Sequence, residues 1–288
     1  MSDPLTLLYV PGDRPDRFDK AVASGADMVI LDLEDAVAAS HKASARESVA
    51  QYLAKPRAVP IQVRVNDLTG PDVAADLAAV ADARGLTGLR LPKVGSAQQV
   101  RDVAASVAAL TIREPELHCL IESAAGVEAA YEIATAHRWV RAVGLGEADL
   151  SADLNVADEA GLAYARSRIV VAARAAGLAP PTMSAYVNVS DMDGLAASCA
   201  RGRSLGFLGR TAIHPRQLPV IAAAFRPAES DVDKARQLLS AVSGAESRGS
   251  GTVVLPDGRF ADRAMVAAAE RTVALAERFA GVPRQRVG

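Results

Sequence analysis

The spacing of apolar runs most constrains what this chain can fold into. Eight short β-rich stretches recur along it: LTLLYVP (5–11), DMVILDLE (27–34), VPIQVRVN (59–66), LTGLRLPKV (86–94), ELHCLIES (116–123), VRAVGLGE (140–147), PTMSAYVN (181–188) and GFLGRTAI (206–213). An Ala-rich amphipathic stretch follows each, over 14–24, 40–54, 71–84, 96–109, 125–137, 158–176, 190–204 and 215–225. Eight consecutive βα units around a parallel sheet predict an α/β fold of the TIM (β/α)8 barrel class. A doubly wound sheet competes, but neither GxGxxG nor GxxxxGK[ST] follows the first strand. The 288 residues, 50% of them hydrophobic, suffice for one such barrel with a full core.

The barrel accounts for residues 1–226. Residues 227–288 read as a C-terminal helix-hairpin-helix extension: a helix over 230–244, the Gly/Ser-rich SGAESRGSG, a hairpin TVVLPDGRFAD and a last helix over 263–279. The Asp257-Gly258 pair suits a tight hairpin turn, whose central residues need positive φ. Further strands cannot join a closed barrel, so the arm is expected to pack on a neighbouring subunit.

A formal net charge of −2 without a basic cluster argues against nucleic-acid binding. The N-terminus lacks a basic leader with an apolar h-region, and no apolar run is long enough to cross a bilayer, so a cytoplasmic protein without a membrane partner is expected. The two cysteines, Cys119 and Cys199, sit in apolar periodic segments and read as buried thiols.

Polar groups gather at the C-terminal ends of the strands, the rim on which βα loops build active sites. Strand two ends in Asp32, Glu34 and Asp35, strand three in Arg64 and Asn66, and strand four in Lys93. Strand five ends in Glu122 and Ser123, strand six in Glu147 and Asp149, strand seven in Asn188 and Ser190, and strand eight in His214. Carboxylates converging on one rim repel one another unless protons or a cation intervene. Histidine is scarce, with only His41, His118, His137 and His214 and no HxxxH spacing, which disfavours zinc. Carboxylate oxygens without imidazole suit Mg²⁺ or Mn²⁺, which take one or two carboxylates with water and substrate oxygens. Glu122 with either Glu147 or Asp149 meets that need. The latter two, in an extended segment, face the same side, and spacing does not choose between them.

The segments LYVPGDRPDRF, DLEDAV, RVN, LPKV, IESAAGV, GLGEADL, GFLGRTAIHPRQL and DGRFADRAMV together resemble the citrate lyase β-subunit-like family, within the HpcH/HpaI aldolase and citrate lyase group. The resemblance runs from about residue 7 to 275. It implies a TIM barrel, a homotrimer or hexamer, and Mg²⁺-dependent carbon–carbon bond cleavage or formation on acyl-CoA thioesters, with coenzyme A part of the substrate.

Position by position, the resemblance makes Glu122 and Asp149 the metal ligands and gives Arg64 the substrate's carboxylate or carbonyl oxygens. Asp32, Glu34 and Asp35 become acceptors that orient Arg64 or metal-bound water. Glu147 stands where the family more often has Ala, with Ala148 in place of Glu, and joins them as a neighbour of the metal. Asp262 matches the Asp that the C-terminal arm inserts into a neighbouring subunit's site, where it would reprotonate the acetyl-CoA enolate. Arg14 is a candidate for thioester or phosphate oxygens or an ordinary helix start. Lys93 either meets CoA phosphates or pairs with a rim acid. His214 reads as the end of strand eight and start of a helix, and Asp153 as a cap. The substrate that the resemblance implies is a 3-hydroxyacyl-CoA such as citryl-, malyl-, citramalyl- or 3-hydroxy-3-methylglutaryl-CoA. The alternatives are thioester hydrolysis on the same substrates and a non-catalytic CoA-thioester-binding partner.

Overall fold

A computed structural model describes residues 3–246 and 260–277. The chain divides into two compact units, Met1–Ala224 and Phe225–Gly288. In the first, seven strands form one wholly parallel sheet: β1 (Thr6–Pro11), β2 (Met28–Asp32), β3 (Ile61–Arg64), β4 (Gly88–Leu91), β5 (Glu116–Ile121), β6 (Val140–Leu145) and β7 (Arg210–Ala212). Their order, β6-β5-β4-β3-β2-β1-β7, puts consecutive strands side by side and β7 beyond β1, giving a parallel α/β half-barrel. β2 and β4 are buried at every position, as in a parallel sheet covered on both faces, although Asp32 and Arg90 interrupt their apolar residues. At Gly209 the backbone has φ +82, and an added Cβ would sit 2.5 Å from the Leu5 carbonyl oxygen, so glycine lets β7 close against the start of β1.

The seventh expected strand, 181–188, is corrected. Only a short stretch meets the sheet: Met183 N–H donates to Gly209 O (3.0 Å) and Thr211 N–H to Met183 O (3.1 Å). Pro181 has no N–H to contribute to a ladder. Beyond Ser184 local bonds win, with the Tyr186 hydroxyl donating to Asp191 (2.6 Å) and Ser190 N–H to the Asn188 side chain (3.1 Å). Asn188 and Ser190 therefore belong to a turn and are not a strand end.

Helices follow the strands as the spacing predicts, with local differences. Ala97–Leu110 is capped by a reciprocal Ser96/Gln99 box and buries Val100, Val103, Ala104 and Val107, the three-four spacing of one face. The expected helix 125–137 is split into Ala124–Glu128 and Ala130–Ala134, and 14–24 into a 3-10 turn at Pro15–Arg17 and Phe18–Val22. A helix that periodicity did not predict, Glu147–Asp153, directly follows β6.

In the second unit the helices Glu229–Glu246 and Arg263–Glu277 pack on each other. Asp262 caps the latter, accepting from Met265 N–H at 2.7 Å. The hairpin expected over 252–262 lies outside the described residues except for its last three. Among the described residues no helix is long and apolar enough to cross a membrane. Cys119 and Cys199 are buried free thiols, and burial pushes the Cys119 thiol up to about 12.

Candidate active site

The register of the sheet assembles the first half of the site. Asp32 of β2 pairs in register with Arg64 of β3, and Arg64 in turn with Arg90 of β4. Asp32 is buried and receives Arg64 bidentately, Nε at 2.7 Å and Nη2 at 2.6 Å. Its two oxygens also accept the Glu34 and Ala36 N–H groups, which folds the chain after β2 around the guanidinium. The Nη1 group lies 2.8 Å from Glu34 and 3.2 Å from Asp35, and the guanidinium carbon stands 5.0 Å over the Tyr9 ring. Burial works against Arg64's charge, but the bonds and charge of Asp32 outweigh it and hold the group above its ordinary pKa. Lys93, at a left-handed φ of 52, spends its ammonium on Glu34 at 2.8 Å. Burial nevertheless raises the Glu34 carboxyl, with Arg64 and Lys93 only partly offsetting it.

Glu122, just past β5, supplies the second half. Its side chain is buried and its Oε2 has no hydrogen-bond partner. Burial, then the charges of Glu34 and Asp149, push its carboxyl up to about 8, with Arg64 opposing. The carboxyl lies directly over Gly146: an added Cβ there would meet Glu122 Cγ and Oε1 at 2.6 Å and Cδ at 2.7 Å. The loop carrying Glu122 is tied down by Asp153, which accepts from Ala124 N–H at 2.7 Å, so Asp153 is a capping residue.

Because Glu147–Asp153 is helical, the expectation that Glu147 and Asp149 share a face is corrected: two positions along a helix lie on nearly opposite sides. Asp149 lies on the side of Glu122, and its charge helps to raise the Glu122 carboxyl. Glu147 turns away to Arg166, which binds it bidentately at 2.8 Å through Nε and Nη2 and reaches Glu159 with Nη1 at 2.8 Å. A cavity of about 710 Å³ lies over these groups, lined among others by Tyr9, Arg64, Arg90, Glu122, Asp149 and Arg210. No cluster of three or more His, Cys, Asp or Glu converges as a metal cage among the described residues. Two carboxylates, one with an unpartnered buried oxygen, are nevertheless the donor set of a hard dication whose other ligands are water and substrate oxygens, so the residues fit Mg²⁺.

Residues 5–215 match the family model described as HpcH/HpaI aldolase/citrate lyase. The chain belongs to this family. It is 33% identical to the L-malyl-CoA/beta-methylmalyl-CoA lyase of Cereibacter sphaeroides, over 94% of this chain and 93% of the relative. It is 35% identical to the (3S)-malyl-CoA thioesterase of the same species, over 96% and 95%. The structure superposes with a TM-score of 0.80 and 32% identity on the CitE protein of Mycobacterium tuberculosis in complex with magnesium, acetoacetate and coenzyme A, covering 94% of this chain and 97% of that one.

In this member of the HpcH/HpaI family, other residues singled out by sequence have local partners or belong to the second compact unit. Arg14 forms an exposed pair with Asp16 (3.0 Å), and His214 caps the turn at Pro215 by accepting from Arg216 N–H (3.1 Å). Asp262 belongs to the second compact unit. Conversely, Tyr9, Gly146 and Arg166 contribute to the cavity although their sequence contexts single none of them out, and Arg90 joins them from the interior of β4.

Proposed function

We propose that this chain is a Mg²⁺-dependent carbon–carbon lyase that cleaves a 3-hydroxyacyl-CoA thioester into an acyl-CoA and an oxo acid, reversibly. The observation that carries this is the buried Glu122 carboxyl, one oxygen unpartnered and pressed by Asp149, beside an Arg64 locked onto Asp32. Glu122 and Asp149 would hold the metal. When bound, Mg²⁺ would supply a Lewis acid that lowers the pKa of the substrate hydroxyl, whose proton leaves to a base as the carbon–carbon bond breaks.

The chain's own residues do the rest. Asp32 fixes the guanidinium fork of Arg64, whose remaining Nη2 hydrogen is free to hold the substrate's carboxylate or carbonyl oxygen in one orientation. Holding the fragment that way keeps the breaking bond aligned with the thioester carbonyl that receives its electrons. Asp262, delivered by the C-terminal arm of a neighbouring subunit in a trimer or hexamer, is assigned the proton returned to the acyl-CoA enolate carbon. This reading includes a closed (β/α)8 barrel with a C-terminal helix-hairpin-helix extension, and a cytoplasmic setting in which CoA thioesters are available.

Glu122→Ala and Asp149→Ala in purified enzyme are expected to abolish Mg²⁺-dependent release of acetyl-CoA from a panel of 3-hydroxyacyl-CoA compounds while leaving the melting temperature within a few degrees of wild type. Full activity in either variant overturns the metal assignment. The 35% identity to a malyl-CoA thioesterase favours one second reading, hydrolysis of the same thioester. The same assay separates the two, since hydrolysis liberates free CoA and cleavage liberates acyl-CoA.

A further inference from the structure

One charged group on the cavity wall is unexplained by the chemistry above. Arg90 is 4% exposed, lines the cavity, and stands in register beside Arg64 on the neighbouring strand. Two such neighbours are roughly 5 Å apart at the backbone. Arg64 has three carboxylates around it, whereas Arg90 has no ion-pair partner among the described residues. Its Nε and Nη2 both donate to a single neutral acceptor, Gln62 Oε1, at 3.2 and 3.0 Å. Tyr9 lines the same cavity.

Gln62 in turn is committed behind it, its amide nitrogen 2.8 Å from His118 Nε2, and His118 leans on Glu116 at 3.3 Å. Burial lowers the His118 pKa, and no acid of this chain of contacts forms an ion pair with Arg90. The acids around its neighbour are already occupied, Asp32 by Arg64 and Glu34 by Arg64 and Lys93. A guanidinium removed from water without a carboxylate costs several kcal/mol, more than a purely structural hydrogen bond to a glutamine returns. A buried fork with an unspent end, facing a cavity, is how proteins recognise a carboxylate.

We propose that Arg90, with the Tyr9 hydroxyl, is a substrate-binding residue that receives a carboxylate of the oxo-acid half of the substrate. The assignment rests on the lyase reading. That carboxylate is either the one on the hydroxyl carbon, gripped jointly with Arg64, or a further one on that carbon's substituent. Arg90 then selects anionic fragments over neutral ones of the same size, and the thioester end of the substrate does not depend on it.

The test uses the full-length enzyme with saturating Mg²⁺ and calorimetric binding of three probes: pyruvate, with one carboxylate, oxaloacetate, with two, and free coenzyme A. Arg90→Leu is expected to weaken oxo-acid binding about 100-fold while leaving coenzyme A within about twofold. Equal losses for both acids assign Arg90 to the shared carboxylate. A loss confined to oxaloacetate assigns it to the second one. Arg90→Lys, which keeps the charge but not the fork, is expected to lose about tenfold, and Tyr9→Phe a few-fold. If Arg90→Leu does not fold, Arg90→Lys and Tyr9→Phe carry the test. Unchanged oxo-acid binding in the folded variants, or an equal loss for coenzyme A, overturns the proposal and makes Arg90 structural. A wild-type enzyme that binds these acids but cleaves no 3-hydroxyacyl-CoA would instead bring down the lyase reading and leave the Arg90 assignment standing.

Discussion

Gly146→Ala separates what the site needs from what the fold needs. Gly146 has φ −96 and ψ 86, outside the left-handed region, so alanine can take up its backbone without strain. The new methyl carbon, however, would stand 2.6 Å from Cγ and Oε1 of Glu122 and 2.7 Å from Cδ. Ordinary contact needs roughly 0.8 Å more, and the element able to give is the end of the Glu122 side chain, because the glycine is held by the Gly146 N–H bond to Ile121 O at 3.0 Å. A displacement of this order at a reacting group costs about 100-fold in rate, which is about 2.7 kcal/mol of transition-state stabilisation. The fold loses little, since the moved atoms are one carboxylate with an unpartnered oxygen. The expected result is therefore kcat/KM down about two orders of magnitude, weaker Mg²⁺ binding, and a melting temperature within about 3 °C of wild type. Steady-state kinetics across a Mg²⁺ titration, paired with thermal unfolding, measure all three. Activity within threefold of wild type, or a collapse of the fold, refutes the geometry on which the site rests.

Other perturbations read out neighbouring parts. Because the Glu122 carboxyl is raised to about 8, the metal-free fold carries a proton there that the unfolded chain, titrating at about 4.3, loses earlier; its stability should fall as pH rises between those values. Mg²⁺ must displace that proton, so its apparent affinity should climb by up to tenfold per pH unit toward 8 and level off above, and an affinity that is flat from pH 6 to 9 by calorimetry contradicts the assignment. Arg166→Met strands the Glu147 carboxylate, whose side chain is only 14% exposed, and should cost roughly 2–4 kcal/mol in urea unfolding, with Arg166→Met/Glu147→Leu recovering most of it. Cys119, with its thiol pushed up to about 12, should resist alkylation in the native enzyme and react once the chain is unfolded.

Much of this architecture is legible in sequence because parallel strands covered on both faces read as apolar runs with polar residues at their C-terminal ends. Asp32, Glu34, Asp35, Arg64 and Lys93 end three strands that prove adjacent in the sheet, so their convergence follows from chain order alone. The turn after β6 was opaque for a local reason. GLGEADLSADL alternates acids at period two and looks extended, while its helical signal is slight: Leu150 and Leu154 four apart, following a glycine at the N-cap position. With the helix in place, Glu147 and Asp149 diverge, and Asp149, which spacing alone does not single out, is the one whose charge acts on Glu122. Arg166, 19 residues downstream of its partner Glu147, leaves no local trace at all. Arg90 does leave one, as a charged residue between Leu89 and Leu91 in a fully buried strand, where only an interior partner or ligand can account for it.

The charge balance of the rim connects these pieces. Asp32, Glu34, Asp35, Glu122 and Asp149 face Arg64 and Lys93, and the geometry spends the two cations on the first three acids. The deficit falls on Glu122, whose carboxyl is pushed up first by burial and then by the charges of Glu34 and Asp149, so that a proton settles it in the metal-free fold. A dication settles it without one. On the adjoining wall the imbalance has the opposite sign, because Arg90 is buried with only neutral partners. A cation-seeking pair next to an anion-seeking guanidinium is the complement of an oxo-acid fragment that arrives with Mg²⁺ on one side and a carboxylate on the other. Each half then supplies the charge that the other half of the site lacks, so metal and acid should bind cooperatively. In that case removing Arg90 weakens Mg²⁺ binding only when the oxo acid is present.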